Sequence, residues 1–162
     1  GEGRLDEYQV KAAYLYNFAK FVAWPSEAFS NAAAPLALCV YGEDPFGPML
    51  EQLVKGRMVG RRALLVRHPT QLQELTECQV LFVGGVTESA FDQIRQRLGA
   101  ASVLTVGESD WFTRRGGMIR FRRDEDRVGF EVNLAAVTQA RVEMNSQLLK
   151  VVTVTAQGRT DP

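Results

Sequence analysis

Most of what usually announces a chemical function is scarce in this 162-residue chain. It holds two cysteines and one histidine, with no C-x-x-C pair, so a zinc site of the usual ligand spacing is excluded and no metal is expected. No apolar run reaches the roughly 18 residues a membrane helix needs, so no direct membrane insertion is expected. Nineteen basic residues cancel nineteen acidic ones, which leaves no net field to attract nucleic acid or an anionic bilayer. No nucleic-acid partner is expected. The chain lacks a G-x-G-x-x-G after a strand, a Walker A loop, G-x-S-x-G and H-E-x-x-H. Dinucleotide, nucleotide-motor, serine-hydrolase and metalloprotease chemistry therefore lose their best warrants. His68, just before Pro69, has no nearby nucleophile to serve and reads as a solvated or locally bonded imidazole.

What the chain does have is Leu36 to Gly42, LALCVYG. Six apolar residues in a row, stopped by Gly42 and then Glu43-Asp44-Pro45, predict a strand covered on both faces, as in a parallel sheet with helices on either side. Similar runs lie at Arg61 to Arg67, Val80 to Val83 and Ser102 to Val106. Between them helices are predicted over Phe46 to Val54, Thr70 to Glu77 and Ser89 to Leu98. Ahead of them all, Tyr8 to Trp24 predicts an amphipathic helix facing the core with Val10, Ala13, Tyr14, Phe18, Phe21 and Val22. After Val106 the pattern changes. A polar loop, Gly107 to Arg115, leads to Met118–Arg123 with alternating sides, a turn at Asp124-Glu125-Asp126 and a returning strand from Arg127 to Val132. Asn133 then caps one short helix, and Asn145 or Ser146 another, SQLLKVV.

Strand–helix alternation implies right-handed crossovers. The predicted fold class is α/β: three layers, a mostly parallel sheet of order 2-1-3-4 with helices on both faces, and a C-terminal antiparallel hairpin at one edge. Residues 1–155 are expected to form a single domain, with a flexible tail over 156–162.

In that strand order Cys78, two residues ahead of VLFV, enters beside the residues around Cys39. Whether the pair is two buried thiols or one disulfide depends on a register the spacing does not fix. Glycines at the strand ends, Gly42, Gly84, Gly85 and Gly107 with Glu43 among them, either make tight turns or let backbone N–H groups approach a small ligand. The aromatic excess in the first helix, including Trp24, and the Trp111-Phe112 pair read as core or as a partner surface. Glu131 on the predicted hairpin joins that candidate surface.

The segments KAAYLYNFAKFVAWP, LCVYGEDPFG, CQVLFVGG, VLTVGESDWFTRRGGMIRF and VGFEVNLAAVTQARVEMNSQLLKVV succeed one another as in YfiR-like proteins. The resemblance spans Tyr8 to Val152. It implies an exported, dimeric α/β protein of the YfiBNR system of Gram-negative bacteria, periplasmic once a signal peptide is removed. Such a protein is expected to be no enzyme and to need no cofactor: it binds the periplasmic region of YfiN, an inner-membrane diguanylate cyclase, and represses it, lowering cyclic di-GMP and biofilm formation. YfiB, an outer-membrane-associated lipoprotein, relieves repression by sequestering it. The resemblance also implies that Cys39 and Cys78 form a disulfide. A second cysteine pair carried by some members has no counterpart between Thr113 and Arg123. A small-molecule-sensing or solute-binding periplasmic domain, with its ligand at the glycine-lined strand ends, is the alternative reading.

Overall fold

The structure, a computed structural model, describes residues 2–150, 153 and 154. Helix α1 covers Glu2–Phe21 and runs directly into a two-residue strand β1, Val22–Ala23. It therefore ends sooner than the predicted Trp24, because Val22 and Ala23 pair antiparallel with Met144 and Glu143. Its buried face is Lys11, Ala12, Leu15, Phe18 and Ala19, continued by Val22, in the three- and four-residue steps of a core-facing helix. Val10 and Ala13, expected on that face, are exposed. Polar and apolar residues are intermixed around the helix, so spacing alone does not set its phase.

Strand β2, Leu36–Gly42, is buried as its composition requires. Leu36, Leu38 and Val40 enter one half of the core, and Ala37 and Cys39 the other. Asp44 then accepts hydrogen bonds from the amides of Phe46 and Gly47, at 2.8 and 3.2 Å, and holds a turn. Helix α2 consequently begins later than predicted, at Met49, and runs to Val54. Strand β3, Met58–Val59, occupies what reads in sequence as a turn and folds back on β4, Arg62–Arg67. A 3-10 turn over Leu72–Glu77 leads to β5, Val80–Gly84, and then to α3, Glu88–Leu98. The Thr87 hydroxyl caps α3, accepting from the Ala90 amide at 3.2 Å. Strand β6, Leu104–Gly107, is followed by β7, Ile119–Asp124, and β8, Arg127–Val132. Beyond them lie α4, Leu134–Gln139, β9, Glu143–Met144, α5, Ser146–Leu149, and β10, Thr153–Val154.

The main sheet has the order β10-β8-β7-β6-β5-β2-β4-β3. Strands β4, β2, β5, β6 and β7 are parallel neighbours, so the fold is a mixed α/β one with a mostly parallel sheet. The antiparallel pair β7–β8 does not form the sheet's edge, because β10 pairs in parallel with Glu131 and Val132 of β8. That extra strand carries no sequence pattern, being two residues long. The end of the SQLLKVV segment and the expected flexible tail lie outside the described residues. One half of the core sits beneath α1 and α2 and the other beneath α3. Among the described residues no helix is long and apolar enough to cross a membrane.

The register left open by the spacing is settled by the β2–β5 pairing, in which Cys39 lies beside Leu81. Cys78, just ahead of β5, is bonded to Cys39 with their Cα atoms 6.0 Å apart. Between Cys78 and β5 the buried Gln79 accepts from the Ala37 amide and donates to the Ala28 carbonyl, both at 2.7 Å. A single side chain thus ties β2, β5 and the loop ahead of β2 together beside the disulfide.

Candidate functional site

The glycines at the strand ends do not form a cradle. A Cβ placed on Gly84 would stand 2.1 Å from the Glu43 carbonyl oxygen, and one on Gly42 would stand 2.2 Å from the Gly84 carbonyl oxygen. Here the ends of β2 and β5 pack backbone on backbone, and the Glu43 amide donates to Gly84 at 2.9 Å. The Glu43 carboxylate lies over Gly85, 2.4 Å from where a Cβ would be. Gly107 is filled by the Phe112 ring, 2.5 Å from its Cβ position. Of the residues expected to meet a ligand, Gly42, Gly84, Gly85 and Gly107 each have the chain's own atoms where a Cβ would stand, and Glu43 supplies some of those atoms. Gly84→Ala should accordingly lower stability by about 1–3 kcal/mol, since the β2–β5 pairing leaves no room to retreat. A urea midpoint unchanged in that variant would contradict this packing.

Phe112 is not a surface ring. It is 1 % exposed, with its centroid 4.6 Å from that of Phe91 on α3 and its edges against Gly107 and Gly117. The Gly117 amide closes the loop on the Phe112 carbonyl at 2.9 Å. This pins the segment from Glu108 to Met118 to the sheet. Trp111, half-buried beside Phe91 at 5.7 Å between centroids, is the aromatic surface the loop presents.

Glu131 faces the same loop from β8. It accepts hydrogen bonds from the Thr113 hydroxyl at 3.1 Å and from Arg120 Nε on β7. Arg120 also reaches Asp110, at 3.7 Å. One carboxylate therefore binds loop and hairpin across a stretch that has no cysteine pair. Alongside, Lys11 of α1 is 4 % exposed and sits between Glu7 and Glu108, 2.5 Å from Glu7. Its ammonium also stands 4.6 Å from the Tyr8 ring centroid, and the Tyr8 hydroxyl donates to Glu108 at 3.0 Å. Arg123 closes the group on Glu7, at 3.0 Å. Between α1 and β7 these residues line an open groove of about 660 Å³, whose charged walls suit a polar protein surface better than an apolar small molecule.

The structure brings Trp111, Phe112, Gly107 and Glu131 to one rim and leaves Trp24 elsewhere. Lys11 marks the rim, and the helix continues for ten residues to Phe21, about 15 Å further on, before Trp24 is reached. Trp24 is half-buried against the α1 side of the core, and its indole N–H is buried with no acceptor among the described residues. Sequence reasoning missed Lys11, Tyr8, Glu108 and Arg120. The Glu7–Lys11 spacing was a legible helical ion pair, but the third member, Glu108, is 97 positions from Lys11.

A family profile described as YfiR/HmsC-like matches residues 8–153. The chain belongs to the YfiR/HmsC-like family. This family consists of periplasmic regulators of cyclic di-GMP signalling, regulatory proteins and not enzymes, and membership implies partnership with YfiN-like proteins of that system. In this protein the buried Lys11 ammonium is surrounded by Glu7, Glu108 and the Tyr8 and Phe121 rings.

Proposed function

We propose that this chain represses an inner-membrane YfiN-like diguanylate cyclase by binding its periplasmic domain, and so lowers cyclic di-GMP and biofilm formation. A YfiB-like outer-membrane lipoprotein relieves the repression by sequestering it, and the repressor acts as a homodimer. The observation that carries this reading is the family match over residues 8–153. The rim supports it. A loop pinned by Phe112 presents Trp111, and the Glu131–Arg120 pair fixes the adjoining hairpin, so the face is ordered before a partner arrives and less entropy is lost on docking. Trp24, whose buried indole N–H has no acceptor among the described residues, is a second contact at the far end of α1, since a buried indole normally finds an acceptor.

The test is reconstitution of the chain with a YfiN-like cyclase, reading cyclic di-GMP in cells and affinity for the purified periplasmic domain. The wild-type chain should lower cyclic di-GMP and bind. Trp111→Ala should weaken binding by about 2 kcal/mol, some thirtyfold, as expected of an aromatic anchor, while thermal unfolding stays cooperative. Wild-type affinity in Trp111→Ala would remove the loop from the interface. Failure of the unaltered chain to bind any YfiN-like domain would remove the reading itself.

A further inference from the structure

On the sheet face that α3 covers, a groove separates α3 from α4. Its inner end is a recess of about 90 Å³ walled by Leu98, Val103, Met118, Ala136 and Ala140, with Thr105 and Gln139 among them. The outer part, about 300 Å³, carries Arg95, Arg114, Asn133 and Gln139. Arg95 and Gly116 line both parts, so the Arg95 guanidinium stands where the apolar recess opens to the polar groove.

Three arginines meet here, and only one is neutralised. Arg115 is held by Glu88 at 2.7 Å and Asp92 at 3.7 Å, and the Glu88 hydrogen bond, then the Asp92 and Glu88 charges, raise its pKa. Asp92, the one acid on the groove wall, is thereby taken. No acceptor among the described residues engages the side chain of Arg95 or Arg114. The Arg95 guanidinium lies over Gly116, where a Cβ would stand 2.3 Å from its Cζ, and φ +96° independently favours glycine there.

We propose that this groove binds a small carboxylate bearing a short aliphatic body, the carboxylate between Arg95 and Arg114 and the body in the recess. The planar guanidinium fork matches the paired oxygens of a carboxylate. The recess mixes the apolar side chains of Leu98, Val103, Met118, Ala136 and Ala140 with Thr105 and Gln139; the former can take a short hydrocarbon group, and the small volume excludes the acyl chain of a membrane lipid. The site does not rest on the cyclase reading, although Gly116 ends the loop that carries Trp111.

The experiment is titration of the full chain with butyrate, followed by amide NMR shifts, beside 1-butanol and inorganic phosphate as comparators. Butyrate is expected to give saturable shifts at Arg95, Gly116, Met118 and Ala136. Affinity should fall about tenfold with 1-butanol and in each of Arg95→Gln and Arg114→Gln, the loss of one charge-assisted hydrogen bond. Both arginines are exposed, so these variants should keep the wild-type unfolding midpoint. Equal binding of 1-butanol, or indifference to both substitutions, would overturn the carboxylate half of the proposal. Phosphate binding as tightly as butyrate would overturn the aliphatic half, and shifts centred elsewhere, or no saturable shift, would overturn the whole.

Discussion

Replacing Cys39 and Cys78 together with alanine is expected to lower the unfolding free energy by about 4 kcal/mol, from the closure entropy of the 39-residue separation that the bond spans. For a chain of this length each kcal/mol moves the melting temperature by roughly 2–4 °C, so a fall on the order of 10 °C should appear in calorimetry. The variant should still fold. Gln79 and the β2–β5 register hold the same strands in place without the bond, so the crosslink acts mainly on the unfolded chain. Cys39 and Cys78 are 1 % and 2 % exposed. A thiol reductant should therefore act only as fast as the core opens, and reduction should track unfolding instead of preceding it. A double variant that melts within about 2 °C of wild type would show that the unfolded chain is not loosened by losing the bond. Rapid reduction of the folded protein would show that the pair is reachable and fitted to a redox role.

How much of this was legible in sequence varies from element to element, for physical reasons. LALCVYG announced a strand buried on both faces because continuous apolar composition has few other uses at that length, and the cysteine neighbourhood followed from the strand order. The phase of α1 was not legible. Val10 is apolar yet 42 % exposed, and Lys11 is charged yet buried; the energy that decides between them comes from Glu108, which is remote in sequence. Strand β1 was read as the end of the helix because Phe-Val-Ala-Trp suits either state, and its partner strand is more than a hundred residues away. The glycines carried two readings that spacing could not separate. Gly42, Gly84 and Gly107 mark close approach, as glycines do, but what approaches is the Glu43 backbone or the Phe112 ring and not a ligand. The same blindness hid the Arg95 groove, whose organising residue, Gly116, looks in sequence like half of an ordinary Gly-Gly turn.

Phe112→Ala should cost about 3–5 kcal/mol, the range for removing a fully buried phenyl ring, and should have a functional effect that destabilisation alone would not produce. The ring is the side chain on which the loop closes. Its removal leaves a void bounded by Phe91 and by the bare backbones of Gly107 and Gly117, which carry no side chains to collapse into it. Trp111 then loses the neighbour 6.2 Å away that keeps its indole against α3. The expected result is a large fall in urea midpoint together with a red-shifted Trp111 emission, read in a Trp24→Phe background so that one indole reports. Phe112→Leu should recover most of the stability, because it refills the void. It should recover less of the affinity for the cyclase domain, because a branched aliphatic chain does not span from Gly107 to Gly117 edge to edge as a ring does. Stability and affinity recovering together in Phe112→Leu would mean that the loop needs only a filled pocket. Their separation would mean that Gly107 and Gly117 are glycine so that a flat ring can set the angle at which Trp111 meets its partner.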